Sequence, residues 1–195
     1  MSIGDPYASR AELKLYVDSD KTTFDDLLDD ALDAATVGIE QACDRQFNRD
    51  AAAVAREFEA TTGTLVLTDD FHTTDGLEVS VDGSTVDASA YRAEPLGGVV
   101  NGRPGWPRTR IRFVDGNTIT GGRGEIVTVT AHWGWDEVPT PVKQSCLILA
   151  AELYKLKDAP FGVAGMDQYG AIRVRENPMV MKKLAPFVRN PVAVA

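Results

Sequence analysis

The run that begins at Thr140, TPVKQSCLILAAELYKLKD, constrains the fold more than any other stretch of this chain. Val142, Cys146, Leu149, Ala150, Leu153 and Leu156 recur at helical spacing. Leu147, Ile148, Ala151 and Tyr154 widen the apolar surface well past one stripe. A helix that is apolar nearly all round must be covered nearly all round. It is therefore a central helix of its own domain or a helix pressed between subunits, and the sequence leaves both open. Thr140 is the expected N-cap and Pro141 the expected N1 residue. Leu147, Ile148, Leu149, Leu153 and Tyr154 are the candidate subunit-interface residues.

Two helices are expected upstream. Ser9 and Glu12 form an S-x-x-E capping box that opens a short helix over about 10–17. Thr23 is expected to cap a long helix over about 24–47, whose Phe24, Leu27, Leu28, Ala31, Leu32, Ala35, Ile39, Ala42 and Phe47 make one apolar stripe. The other face is crowded with acids: Asp25, Asp26, Asp29, Asp30 and Asp33. The first two suit the helix dipole. The i, i+4 pairs deeper in the helix repel by a few tenths of a kcal/mol each, so helix stability alone does not ask for them. Asp25, Asp29, Asp30 and Asp33 are candidates for a face that meets a basic partner or repels passing polyanion. A solvated face is the plain alternative.

From Arg56 the apolar period changes to two, in REFEA, TLVL, LEVSV, RIRFV and EIVTVTAH. Turn signals such as Asp75-Gly76, Asp82-Gly83 and Asp115-Gly116 separate these runs. An antiparallel β unit over 56–132 is expected, placed between a helical core of 1–55 and 133–157. Residues 158–195 read as a Gly-punctuated arm ending in a short helix, with Asn177 as cap and Pro178 at N1. The fold class is α+β.

The 195 residues are 44% hydrophobic and 25% charged, an ordinary balance for a globular protein. No apolar run approaches the length of a membrane span, and the N-terminus lacks a signal-peptide core, so a chain made in a cytosol is expected. The net charge of −9 disfavours a sequence-reading DNA binder. Residues 1–50 hold twelve Asp/Glu against five Lys/Arg, whereas 171–195 hold five Lys/Arg against one Glu. Acidic head and basic tail are suited to attract one another between neighbouring subunits.

No H-E-x-x-H, paired CxxC or G-x-S-x-G pattern occurs in the sequence. Cys43 and Cys146 have no CxxC spacing and are expected as buried free thiols. Asp69, Asp70 and His72 share one short stretch with no second His nearby, which reads as a polar turn and not a metal site. GGRGE at 121–125 leads into a strand and lacks the Gly-Lys-Ser/Thr of a phosphate loop. The expectation is a non-enzyme without cofactor or metal. An alternative from another class is a ligand-binding β module with helical flanks, using the long 97–107 loop and Trp106.

The order of elements, with the passages SRAELKLYV, DDLLDDALDAATVGIEQACDRQF, EVPTPVKQSCLILAAELY and KKLAPFVR, resembles the head–tail connector, or adaptor, proteins of long-tailed double-stranded DNA phages. The resemblance covers about 1–50 and 133–190. It implies a helical bundle of adaptor type, with two N-terminal helices, one central helix and a short C-terminal helix, carrying the β unit as an insertion. It implies a virion neck protein, assembled in the host cytoplasm and ringed as a dodecamer beneath the portal. Its partners would be itself, the portal and the next stopper or tail protein, with DNA passing through the bore and no membrane contact. The arm would reach the portal, making Tyr169, Ile172, Arg173, Val174 and Arg175 the portal-contact candidates. Another neck or tail-completion virion protein is the nearest alternative.

Overall fold

The computed structural model describes residues 2–158 and 177–189. The chain divides into two compact units, one of Ile3–Phe47 with the described residues from Val138 on, the other of Asn48–Glu137.

The first unit is helical. Helix α1 (Arg10–Tyr16) starts at the expected capping box: Ser9 Oγ accepts from Glu12 N, and Glu12 Oε2 accepts from Ser9 N at 2.9 Å. Helix α2 (Asp25–Cys43) begins without a side-chain cap. Phe24, not Thr23, is its N-cap residue, and Asp25 and Asp26 supply the first-turn charge instead. It ends earlier than expected, where Asp44 turns left-handed at φ 51°. Helix α3 (Thr140–Lys155) has Pro139 at its N-cap, so Thr140 is already helical. Helix α4 (Pro178–Leu184) is capped by Asn177 as expected, its side chain accepting from Met179 N and Val180 N.

Helix α3 packs on α2, α1 and α4. Its neighbours explain its composition. Leu28, Ala31, Leu32, Ala35, Ile39 and Cys43 give α2 a buried stripe at the expected spacing. Ala34, Thr36 and Gly38 are also buried, and such small residues let another helix come near. At the contact Thr36 Oγ1 lies 3.6 Å from Cys146 Sγ. Both cysteines are buried free thiols, and burial pushes each pKa up to about 11. The start of α2 meets the end of α3 where Phe24 and Tyr154 pack edge-on, with Lys157 Nζ 4.5 Å from the Tyr154 ring centre.

The second unit is one antiparallel sheet of seven strands, curled into a half-barrel. The strands are β1 (Val54–Thr62), β2 (Leu65–Phe71), β3 (Glu78–Val81), β4 (Ser84–Thr85), β5 (Tyr91–Glu94), β6 (Arg108–Phe113) and β7 (Ile126–Ala131). Their spatial order is β4-β3-β7-β1-β2-β6-β5. Strand β1 is shared: Val54–Glu59 pair with β7, and Ala60 and Thr62 pair with β2 across a register shift. A bulge at that point bends the strand, which is how one sheet turns a corner. Asp82 and Gly83 join β3 to β4 with positive φ at both positions, the conformation a two-residue hairpin turn requires. Val79, Val81, Val127, Val129 and Ala131 line the buried face. Trp133 fills its end, packed by Phe58 and Phe71, with its Nε1 donating to Val54 O at 2.7 Å.

This overturns the expected fold class. The chain is not a helical bundle of adaptor type carrying a small inserted β unit; it is a sheet-rich α+β protein in which a seven-stranded sheet accompanies, among the described residues, four helices. The reason lies in the strands that apolar alternation does not mark. Strand β5 reads YRAE and β4 reads ST, and neither carries an apolar run. Pairing with β6 and β3 makes them strands.

Candidate functional site

The candidate surfaces are built by three elements, α3, the α1–α2 pair and the β5–β6 edge. On α3, the proposed interface residues separate. Leu149, Leu153 and Tyr154 are buried inside their own unit, Leu149 to 1% exposure. Each such leucine contributes roughly 1.5–3 kcal/mol by leaving water. Leu147 and Ile148 are only half-buried. They form the part of the apolar helix that the described residues leave partly open.

The acidic face of α2 also separates. Arg10 reaches across from α1 to both Asp29, through Nε at 2.7 Å, and Asp25, through Nη1 at 3.1 Å. Lys14 Nζ adds a second cation at 2.5 Å from Asp25. The Lys14 and Arg10 contacts outweigh desolvation and hold the Asp25 carboxyl below its ordinary pKa. Asp25 and Asp29 thus tie α1 to α2. Asp26, Asp30 and Asp33 are exposed and have no ion-pair partner among the described residues. Partial desolvation, then the charges of Asp29 and Asp30, push the Asp33 carboxyl up.

The β5–β6 edge carries a cluster that sequence reasoning missed. Register places Arg92 opposite Arg112 and Glu94 opposite Arg110. Glu94 is the hub: its Oε1 accepts from Arg92 Nε at 3.0 Å and from Arg112 Nε at 3.1 Å, and its Oε2 lies 3.0 Å from Arg110 Nε. The Glu94 side chain is 10% exposed, against 33–49% for the three arginines. Burial alone would raise the Glu94 pKa; Arg112 and Arg92, with the charge of Arg110, outweigh it and the value falls. One carboxylate among three guanidinium groups leaves a surplus of two positive charges. The signal was present in the arginines at alternate positions of RTRIRF, with Ile111 and Phe113 between and after them on the buried face.

The loop 97–107 is held, not free. Gly98 O accepts from Trp106 N at 3.0 Å, and the Trp106 ring meets that of Trp135 at 5.1 Å. A Cβ on Gly98 would stand 2.5 Å from Trp106 O. Asp69, Asp70 and His72 do not converge on one point: Asp69 pairs with Arg56 at 2.7 Å, Asp70 accepts from Trp135 Nε1 at 2.8 Å, and His72 stacks loosely on His132 at 5.7 Å. The portal-contact candidates Tyr169, Ile172, Arg173, Val174 and Arg175 lie outside the described residues.

No family model and no curated protein matches this chain. Among solved structures it is similar to a chain in the neck of an empty GTA particle, computed with C6 symmetry. The two share 19% identity at a TM-score of 0.58, over 97% of this chain and 93% of that one. It is also similar to a chain in the neck of a native GTA particle, computed with C12 symmetry, with 17% identity and a TM-score of 0.50 over 100% and 99% of the two chains. A GTA is a phage-like gene transfer agent. At these identities what is shared is the fold, and it is shared end to end.

Proposed function

We propose that this chain is a structural, non-catalytic component of the neck of a phage-like particle. There it forms a ring between the portal and the next stopper or tail protein, and the genome passes through the bore. The observation that carries the reading is the full-length likeness to a neck chain, which takes in helices and sheet together. Twelve copies is the number we propose, because a C12 neck holds a chain of the same fold and length. A head-to-tail contact repeated around a closed rotation gives such a ring. A net charge of −9 would give such a ring little affinity for DNA phosphates, since phosphate neutralisation supplies most non-specific affinity.

The test is electron microscopy of the full chain mixed with portal-bearing, DNA-filled heads. The expected result is ring density of twelvefold symmetry on the portal face and recovered tail attachment. Heads that bind no ring, and accept tails equally well without the protein, would remove this reading.

A further inference from the structure

We propose that the Arg92/Arg110/Arg112 face on β5–β6 is a subunit contact of the ring, and that it receives the α2 stripe Asp26/Asp30/Asp33 of a neighbouring copy. The inference rests on the ring reading above and adds which surfaces meet.

The arginine face is prepared for carboxylates. Arg92 and Arg112 each donate Nε to Glu94, Arg110 Nε stands 3.0 Å from its second oxygen as an ion pair, and their Nη groups have no hydrogen-bond partner among the described residues. A guanidinium fixed at one edge presents the rest of its fork at little entropic cost, and that fork matches a carboxylate. Glu94 orients the forks without cancelling them. The edge position also favours the contact, because β5 is the last strand of the sheet.

The acid stripe supplies the complement in charge and in spacing. Asp26, Asp30 and Asp33 stand on one face of α2 at i, i+4 and i+7. A four-residue step along a helix rises about 6 Å. Arg110 and Arg112 are two residues apart on β6, about 6.7 Å along a strand. Arg92 stands directly across from Arg112, at a cross-strand separation of about 5 Å. Three unpaired acids therefore meet three arginines that hold one acid already. The two surfaces differ, so the contact is head-to-tail, the kind that closes rings. Duplex DNA is the less suited occupant. The sheet unit carries fourteen Asp/Glu against eight arginines, so phosphates near this face meet a net negative surround.

Disulfide trapping between variants decides the matter. One full-length population carries Asp30→Cys, a second carries Arg92→Cys, and a third carries Thr85→Cys on exposed β4 as a control. The native thiols are buried and stay silent. Mixed populations are assembled on portal-bearing heads, with ring formation read by microscopy, and then oxidised with copper phenanthroline. The expected result is an Asp30→Cys/Arg92→Cys heterodimer at least about fivefold above the Asp30→Cys/Thr85→Cys control. Its yield should fall in 1 M salt, where the screening length shrinks to about 3 Å. Rings that form while both yields are equal overturn this inference and leave the ring reading standing. Heads that bind no ring under any mixture overturn both. A 30-base-pair duplex whose binding is lost on Arg92→Glu/Arg112→Glu, with the cross-link at control level, assigns the face to phosphates and overturns the proposal.

Discussion

Tyr7 donates its hydroxyl proton to Glu40 Oε1 at 2.7 Å, and the Tyr7 hydroxyl oxygen accepts from Phe47 N at 2.9 Å. The Tyr7 ring packs edge-on to Phe47, which packs edge-on to Phe187. The segment before α1, the chain beyond α2 and the turn after α4 meet through this one fully buried tyrosine. Burial, with Glu40 beside it, raises the Tyr7 pKa and keeps the phenol protonated. Tyr7→Phe keeps the ring and leaves the buried Phe47 N–H without its acceptor. The expected loss is about 1–3 kcal/mol, read as a lower denaturant midpoint with helical content unchanged. An unchanged midpoint would show that this hydroxyl does not hold the helical unit together.

Acid should weaken the helical unit through Glu12. Its carboxyl binds Lys143 Nζ at 2.5 Å as well as Ser9 N, and these contacts lower its pKa from 4.5 to about 2. A carboxyl depressed in the folded state stabilises that state above its unfolded value. The contribution is therefore full above about pH 4.5 and lost as pH falls toward 2. Melting temperatures at pH 6 and pH 3 should differ more for the wild type than for Glu12→Gln. Equal pH dependence in the two proteins would discount the Lys143–Glu12 tie.

The two sides of α3 should respond differently to mutation. Leu149→Ala empties a buried site and should cost about 2–5 kcal/mol in a denaturant titration. Leu147→Glu/Ile148→Glu alters half-buried positions and should leave a folded chain that forms fewer rings on portal-bearing heads. Normal ring yield from a folded double variant would free that patch from any part in assembly.

Gly134 should tolerate no side chain. Its φ is +88°, and a Cβ there would stand 1.9 Å from Asn48 O. Gly134 N also donates to Asp70 O at 2.6 Å, so the chain cannot swing aside cheaply. Gly134→Ala should destabilise the protein by at least about 2 kcal/mol, from left-handed strain and overpacking together. Calorimetry that finds a smaller loss would show the turn to be plastic. Gly76→Ala, where a Cβ meets nothing within 4 Å, isolates the backbone term alone.

Much of the helical unit was legible because its signals are local. Ser9 and Glu12 satisfy one another within a single turn, Asn177 caps its own next residues, and the α2 stripe follows the helix period. The Asp25–Asp33 run was legible as acidic, but not which acids are already neutralised. Arg10 and Lys14 lie fifteen to nineteen and eleven positions away in sequence and reach Asp25 and Asp29 only through helix packing. The arginine row of RTRIRF was legible, but not its junction with Glu94 and Arg92, which come from another strand.

The sequence by itself determined the periods: where the chain is helix, where it alternates, and that α3 must be covered. Those properties rest on the spacing of neighbouring residues and on caps that close within a few of them. Tertiary structure alone decided what does the covering and how many strands share the sheet. Helix α3 packs against α1, α2 and α4, which bury half of its residues, and polar β4 and β5 become strands by pairing. Both outcomes depend on partners distant in sequence, whose hydrogen bonds and buried area no local pattern records.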